Sequence, residues 1–218
     1  MENGTQIPHS IKLERASVVF IAEEIAPKMF SHRYLGYNQV VDINDAPKAA
    51  LTSPVLTRLQ YSNGMLFEAT ERKIKLEMQY TDPLSVTGGV KLPDALEVVS
   101  ERLLKSLAHL SFVAMGINFQ VFIEGASVSK LVTGLPTFAL PSHVSYKFDY
   151  DSYEGNIKMQ LAHKKEDESE VVSVDSNFHL DIPPQLSDDE EIAFLLDFLH
   201  RRNTLLNEIR RLVDETQF

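Results

Sequence analysis

Residues 73–80 alternate strictly: Ile74, Leu76, Met78 and Tyr80 are apolar, and Lys73, Lys75, Glu77 and Gln79 between them are polar. A period of two puts one set on each face of a strand, so the segment predicts a strand with one wet face. Upstream, VLTRLQY and MLFEAT flank Ser62-Asn63-Gly64, and Asn-Gly tolerates the positive φ angles that a tight hairpin demands. Residues 55–80 thus predict a three-stranded meander. An earlier strand is expected within residues 12–22, where Leu13, Val19 and Ile21 share one phase and Val18 and Phe20 the other.

The period changes after Pro93, a residue suited to the first turn of a helix. Leu96, Val99, Leu103 and Leu107 follow at spacings of three and four, predicting a core-facing helix over residues 93–109. Glu101 and Lys105 face each other on its flank in the favourable order, worth about 0.3 kcal/mol.

The pattern then begins again. FVAMGINFQVFIE at 112–124 is a long strand, and VSYKFDY, NIKMQLAH and VVSVDSNFHLDI predict three more before a terminal helix. The order reads as two successive strand-strand-strand-strand-helix units, residues 1–110 and 111–218, in an α+β fold built on antiparallel sheet. A period of about a hundred residues suggests duplication of a small α+β unit. One compact domain whose halves merely look alike is the alternative. Residues 23–50 and 125–143 carry no clear period and are expected to be loops or crossovers, a place where function often resides.

The terminal helix is the best-defined element. Ser187, followed three residues later by Glu190, is a capping box, and Asp188, Asp189, Glu190 and Glu191 crowd the positive end of the helix dipole. Leu195, Leu199, Leu206, Ile209 and Val213 form one apolar line, and Phe198, Leu205 and Leu212 an adjacent one. So wide a face suits a helix lying on its own sheet. The sharper expectation is that part of it, with Phe194 and the mid-stripe Arg202, meets another subunit. The candidate oligomer interface is therefore Phe194, Phe198, Arg202, Leu205 and Leu212.

Composition narrows the classes. With 21 Lys and Arg against 31 Asp and Glu, the formal charge is −10, a surface that repels phosphate and anionic lipid. Nucleic acid and membrane are not expected partners. The chain has no cysteine, which removes disulfides, thiolate metal sites and cysteine nucleophiles together, and fits a reducing compartment. A start without a basic and then apolar leader, and no apolar run of membrane-spanning length, predict a soluble cytoplasmic protein.

Candidate chemistry is sparse. Ser127 and Lys130 fit S-x-x-K, but the companion elements used by serine acyl enzymes do not follow. Gly88-Gly89 lacks phosphate-loop spacing and reads as a turn. Seven histidines show no ligand spacing; the nearest to a metal cluster is His163, His179, Asp175 and Asp181 on two strands expected to be neighbours. Asp149 and Asp151 could act as an acid–base pair, yet nothing nearby would separate their pKa values. No catalytic, metal or cofactor-binding residue is assigned, and no cofactor is expected.

The order of LQYSNGMLFEA, a helix, MGINFQVFIE, VSVDSNFHLDI and FLLDFLHRRNTLLNEI resembles a sporadically distributed family of uncharacterised bacterial proteins. That resemblance covers most of residues 12–216 and implies no activity or site residue. More distantly, four antiparallel strands followed by a long helix look like the export chaperone SecB, an acidic cytoplasmic oligomer that holds unfolded chains on apolar grooves. The expectation is a non-catalytic interaction or scaffold protein, homo-oligomeric, with a protein partner. A SecB-like chaperone and a small-ligand binder are the alternatives, and an enzyme comes third.

Overall fold

The computed structural model describes residues 10–85, 94–124, 143–149, 154–163, 170–201, 204 and 207. Its strands are β1 (Ser10–Ala22), β2 (Ala49–Thr52), β3 (Leu56–Gln60), β4 (Met65–Thr70), β5 (Lys73–Ser85), β6 (Phe112–Glu124), β7 (His143–Asp149), β8 (Glu154–His163) and β9 (Glu170–Asp181). The helices are α1 (His32–Tyr37), α2 (Asp94–Ser106) and α3 (Asp188–His200), with a 3-10 turn at Pro27–Met29. The class is α+β, as the sequence predicts.

The nine strands among the described residues form one antiparallel sheet in the order β2-β3-β4-β5-β1-β6-β9-β8-β7. Each half follows the same path. The first strand of each series, β1 or β6, lies at the centre, the last strand, β5 or β9, pairs beside it, and the meander steps outward. The halves do not close into separate sheets, because β1 and β6 pair along almost their whole length, from Ser10↔Glu124 to Ala22↔Phe112.

The meander turns where Asn63-Gly64 requires it. Gly64 has φ +85°, the Asn63 side chain accepts from the Met65 N–H at 3.0 Å, and the Tyr61 N–H donates to the Met65 carbonyl at 2.8 Å. β5 runs beyond the alternating segment to Ser85.

One face of the sheet is the core. Leu13, Val18 and Phe20 of β1, Ile74 and Leu76 of β5, Ile117 and Val121 of β6, and Val174 and Phe178 of β9 are all fully buried in one continuous cluster. Each contributes roughly 1.5–3 kcal/mol by leaving water. α2 lies over β5 and β1, α3 lies over β6, and the two helices touch. Leu96, Leu103, Leu104 and Leu107 reach down from the α2 segment, and Leu195, Phe198 and Leu199 from α3.

α3 is fixed at its start. Ser187 and Glu190 close the capping box, with the Glu190 carboxylate accepting from the Ser187 N–H at 2.9 Å and from its hydroxyl at 2.7 Å. One turn on, the Glu191 carboxylate accepts from the Phe112 N–H at 2.8 Å, tying the helix to the first residue of β6. The Glu101–Lys105 pair on α2 forms at 2.6 Å.

Residues 23–50, which carry no clear period, contain the 3-10 turn, α1 and the start of β2. Thr57 of β3 donates to the Pro27 carbonyl at 2.7 Å, and His32 lies between Tyr61 Oη at 3.3 Å and the Ile43 carbonyl at 3.0 Å, so this segment is bound onto the β3 end of the sheet.

Candidate functional site

The sheet face opposite the helices is lined by the polar phase of the central strands. Register sets the rows. Glu77, Ser17, Asn118 and Asn177 succeed one another across β5, β1, β6 and β9, and Gln79, Arg15, Gln120 and Asp175 form the next row. Together with Lys73 and Lys75, the residues of these rows other than Gln79 line an open groove of about 460 Å³ centred on the joint between the two halves.

Glu77 is the least expected residue there. It is only 7% exposed, and a buried carboxylate is strongly unfavourable unless paired. Lys75 Nζ at 2.5 Å and Arg15 Nη1 at 3.9 Å both approach its Oε2. Lys73 reaches Glu68 at 3.7 Å on the same face. Ser17 is also buried, and its Oγ accepts from Asn118 Nδ2 at 3.3 Å. At the bulge of β1, next to Arg15, Glu14 is pushed above the usual carboxylate range by burial, with Arg15 opposing and Asp175 adding to the rise.

A second surface lies at the sheet edge. β2 ends the strand order, so among the described residues one of its edges has no partner strand, and all four of its residues are exposed. Leu51 is 55% and Val55 58% exposed, and the nearby segment adds exposed Tyr37 and Ile43. None of residues 49–52 is charged. Natural sheet edges are commonly blunted by charge, so an uncharged apolar edge is a template for another strand.

The candidate oligomer residues divide. Phe198 is 2% exposed within its own core, and Phe194 is half-buried against the same cluster. Arg202, Leu205 and Leu212 lie outside the described residues, as do Ser127, Lys130, Gly88, Gly89 and Asp151. The strands of His163 and His179 are neighbours, as expected, but the register does not bring the two residues together. In the β8–β9 ladder His163 pairs with Glu170 and His179 with Glu154, at opposite ends, because a hairpin sets the end of one strand beside the start of the next. His179 instead contacts Asp181 on its own strand at 2.9 Å. Among the described residues no three His, Asp or Glu side chains gather as a metal cluster. No described helix is long and apolar enough to cross a membrane.

Sequence reasoning missed both surfaces. Alternation reveals the polar phase of β1, β5, β6 and β9 but not that these four strands lie side by side. AALT at β2 has no alternation to find. No protein-family model matches the chain, and neither does any curated protein.

Proposed function

We propose that this is a non-catalytic interaction protein of the cytoplasm, homo-oligomeric, which adds an extended strand of another polypeptide to the free edge of β2. The observation that carries this reading is the exposed, uncharged edge of β2 with Leu51 and Val55 beside it. A strand added there would satisfy the open backbone groups of β2 and cover those side chains, the mode known as β-augmentation. The simplest occupant is β2 of a second copy, since two identical strands pair antiparallel about a twofold axis and give a closed dimer. A narrower form of the same reading is a SecB-like role, in which the edge holds an unfolded chain.

Light scattering on the full chain tests it. The wild type is expected to be a dimer, and Ala50→Pro, which removes an edge N–H, and Leu51→Lys, which adds charge, are expected to be monomers with unchanged circular dichroism. A monomeric wild type, or a dimer indifferent to both substitutions, overturns the reading. Suppressed aggregation of a chemically unfolded reporter protein would support the SecB-like form.

A second reading, a small-ligand binder, is favoured by the groove on the opposite face. The sequence expectation for such a site is an enclosed apolar pocket. This groove is open, polar and charged, so its ligand chemistry is different.

A further inference from the structure

The edge that β2 presents among the described residues is narrower than the strand itself. In an antiparallel ladder, successive residues turn their N–H and C=O groups alternately toward one neighbouring strand and the other. The Ser53 N–H donates to the Leu56 carbonyl at 2.8 Å, and this pair continues the register in which Leu51 opposes Arg58 and Ala49 opposes Gln60. Leu51 and Ala49 therefore direct their backbone groups to β3. Ala50 and Thr52 turn theirs outward, so the edge offers two donors and two acceptors.

Both ends of this short edge are closed. After Thr52 the next outward position is Pro54, which has no N–H. Before Ala50 it is Lys48, but the Lys48 N–H donates to the Gln60 carbonyl at 2.7 Å, one residue out of register, so that donor is used inside the sheet. Prolines and register slips are common protections of sheet edges, and here they flank an open centre.

A second copy of β2 can meet that centre in few ways. A twofold axis pairs the strands antiparallel, and outward groups must meet outward groups. Only an axis through residue 50, 51 or 52 keeps Ala50 and Thr52 both opposite residues 48–54. Centred on Ala50, the ladder sets Thr52 against Lys48 of the second copy, whose N–H is already taken. Centred on Thr52, it sets Ala50 against Pro54, which has no N–H to give. Centred on Leu51, Ala50 of each copy faces Thr52 of the other, and all four outward groups of each strand are satisfied. Leu51, 55% exposed, then faces its own counterpart in the closer, non-hydrogen-bonded kind of pair, about 4.5 Å between Cα atoms. No like charges meet. The two Arg58 residues lie three strand spacings apart, about 14 Å, each opposite its own Glu68, and the two Lys48 residues lie at opposite ends of the joint.

We infer that two copies join β2 to β2 in one register, Leu51 on Leu51 and Ala50 on Thr52, selected by Pro54 at one end and by the Lys48–Gln60 bond at the other. The register rests on the edge pairing proposed above and gives it a fixed geometry, in which the two sheets run on as one across the joint.

Disulfide trapping in the full chain reads the register, and the chain has no cysteine of its own to compete. A disulfide needs Cα atoms about 4.4–6.8 Å apart. Leu51→Cys is expected to form a covalent dimer on mild oxidation. Ala50→Cys alone and Thr52→Cys alone place like residues about 9 Å apart, a diagonal of one strand spacing and two residues, and are expected to stay uncrosslinked. Mixed together, those two variants are expected to crosslink to each other. Adding Ala50→Pro to Leu51→Cys is expected to abolish the disulfide. Light scattering under reducing conditions separates the two ways of failing. A dimer that Ala50→Pro dissolves, but in which Ala50→Cys or Thr52→Cys crosslinks to itself or Leu51→Cys does not, would overturn the register and leave the edge reading standing. A monomeric wild type, or a dimer that survives Ala50→Pro, would overturn both.

Discussion

Asn118 and Ser17 face each other across the β1–β6 ladder, with the Asn118 amide donating to Ser17 Oγ at 3.3 Å. Their strands belong to different halves of the sequence, and their rung lies within the pairing that makes nine strands a single sheet. The same rung forms part of the groove floor, so the joint between the halves is also the place where both contribute polar groups.

Two rungs along, on the same face, the ladder carries a prediction. Gly116 sits opposite Val19, and a Cβ added to it would meet the Phe178 carbonyl at 3.7 Å and the Asn177 and Asn118 side chains at 3.8 and 3.9 Å, ordinary contact distances. Gly116→Ala is therefore expected to fit and to stabilise by about 0.4–1 kcal/mol, because alanine leaves the unfolded chain less freedom to lose. Urea denaturation that shows a loss of stability would contradict this.

Gly64 should behave in the opposite way. Its φ of +85° disfavours any side chain, and a Cβ there would lie 2.5 Å from the Gln79 carbonyl. Gly64→Ala is expected to cost at least about 1–2 kcal/mol, read as a lowered urea midpoint with unchanged slope.

Glu191 links α3 to β6 at some electrostatic cost. Burial raises its carboxyl above the ordinary range; the Phe112 N–H acts against the rise and Asp188 adds to it. The folded state thus binds this proton more tightly than the unfolded chain, and stability falls as pH rises from the ordinary carboxyl value through the raised one. Glu191→Gln, which keeps an acceptor and drops the charge, is expected to flatten that slope and to be at least as stable at neutral pH. Glu191→Ala, which strands the Phe112 N–H, is expected to lose about 1–3 kcal/mol. Denaturation curves across the acidic to neutral range distinguish the two.

Two phenols are held neutral by the fold. Burial pushes Tyr61, with help from Asp45, and Tyr80 up to about 12. Their folded values exceed the unfolded value of 10, so the stability they carry is intact below pH 10 and lost as pH climbs toward 12. An absorbance titration should show a late phenolate component that shrinks in Tyr61→Phe and in Tyr80→Phe. Tyr80 Oη has no hydrogen-bond partner among the described residues, so Tyr80→Phe is further expected to be neutral or stabilising at neutral pH. A marked loss of stability there would show that the hydroxyl is satisfied.

Several elements are legible in the sequence itself. Strict alternation marked β5, Asn63-Gly64 marked the turn before β4, and Ser187 with Glu190 marked the start of α3; each signal is local, a matter of φ, period or a cap. β2 gave no such signal, because four small or exposed residues at an edge need no buried phase. The metal-like grouping of His163 with His179 failed because membership of neighbouring strands does not fix register.

What the sequence alone determined is the identity of the elements and which side of each strand is greasy, since both follow from short-range geometry. Which strands adjoin was decided only in three dimensions, where the β1–β6 pairing, the single core and the packing of α2 and α3 had to be satisfied together. That decision gathered Arg15, Lys75, Asn118 and Asp175, drawn from four strands far apart in the chain, around one groove, and placed β2 at the edge of the described sheet. Neither surface exists in any single segment, because each arises from how the segments pair.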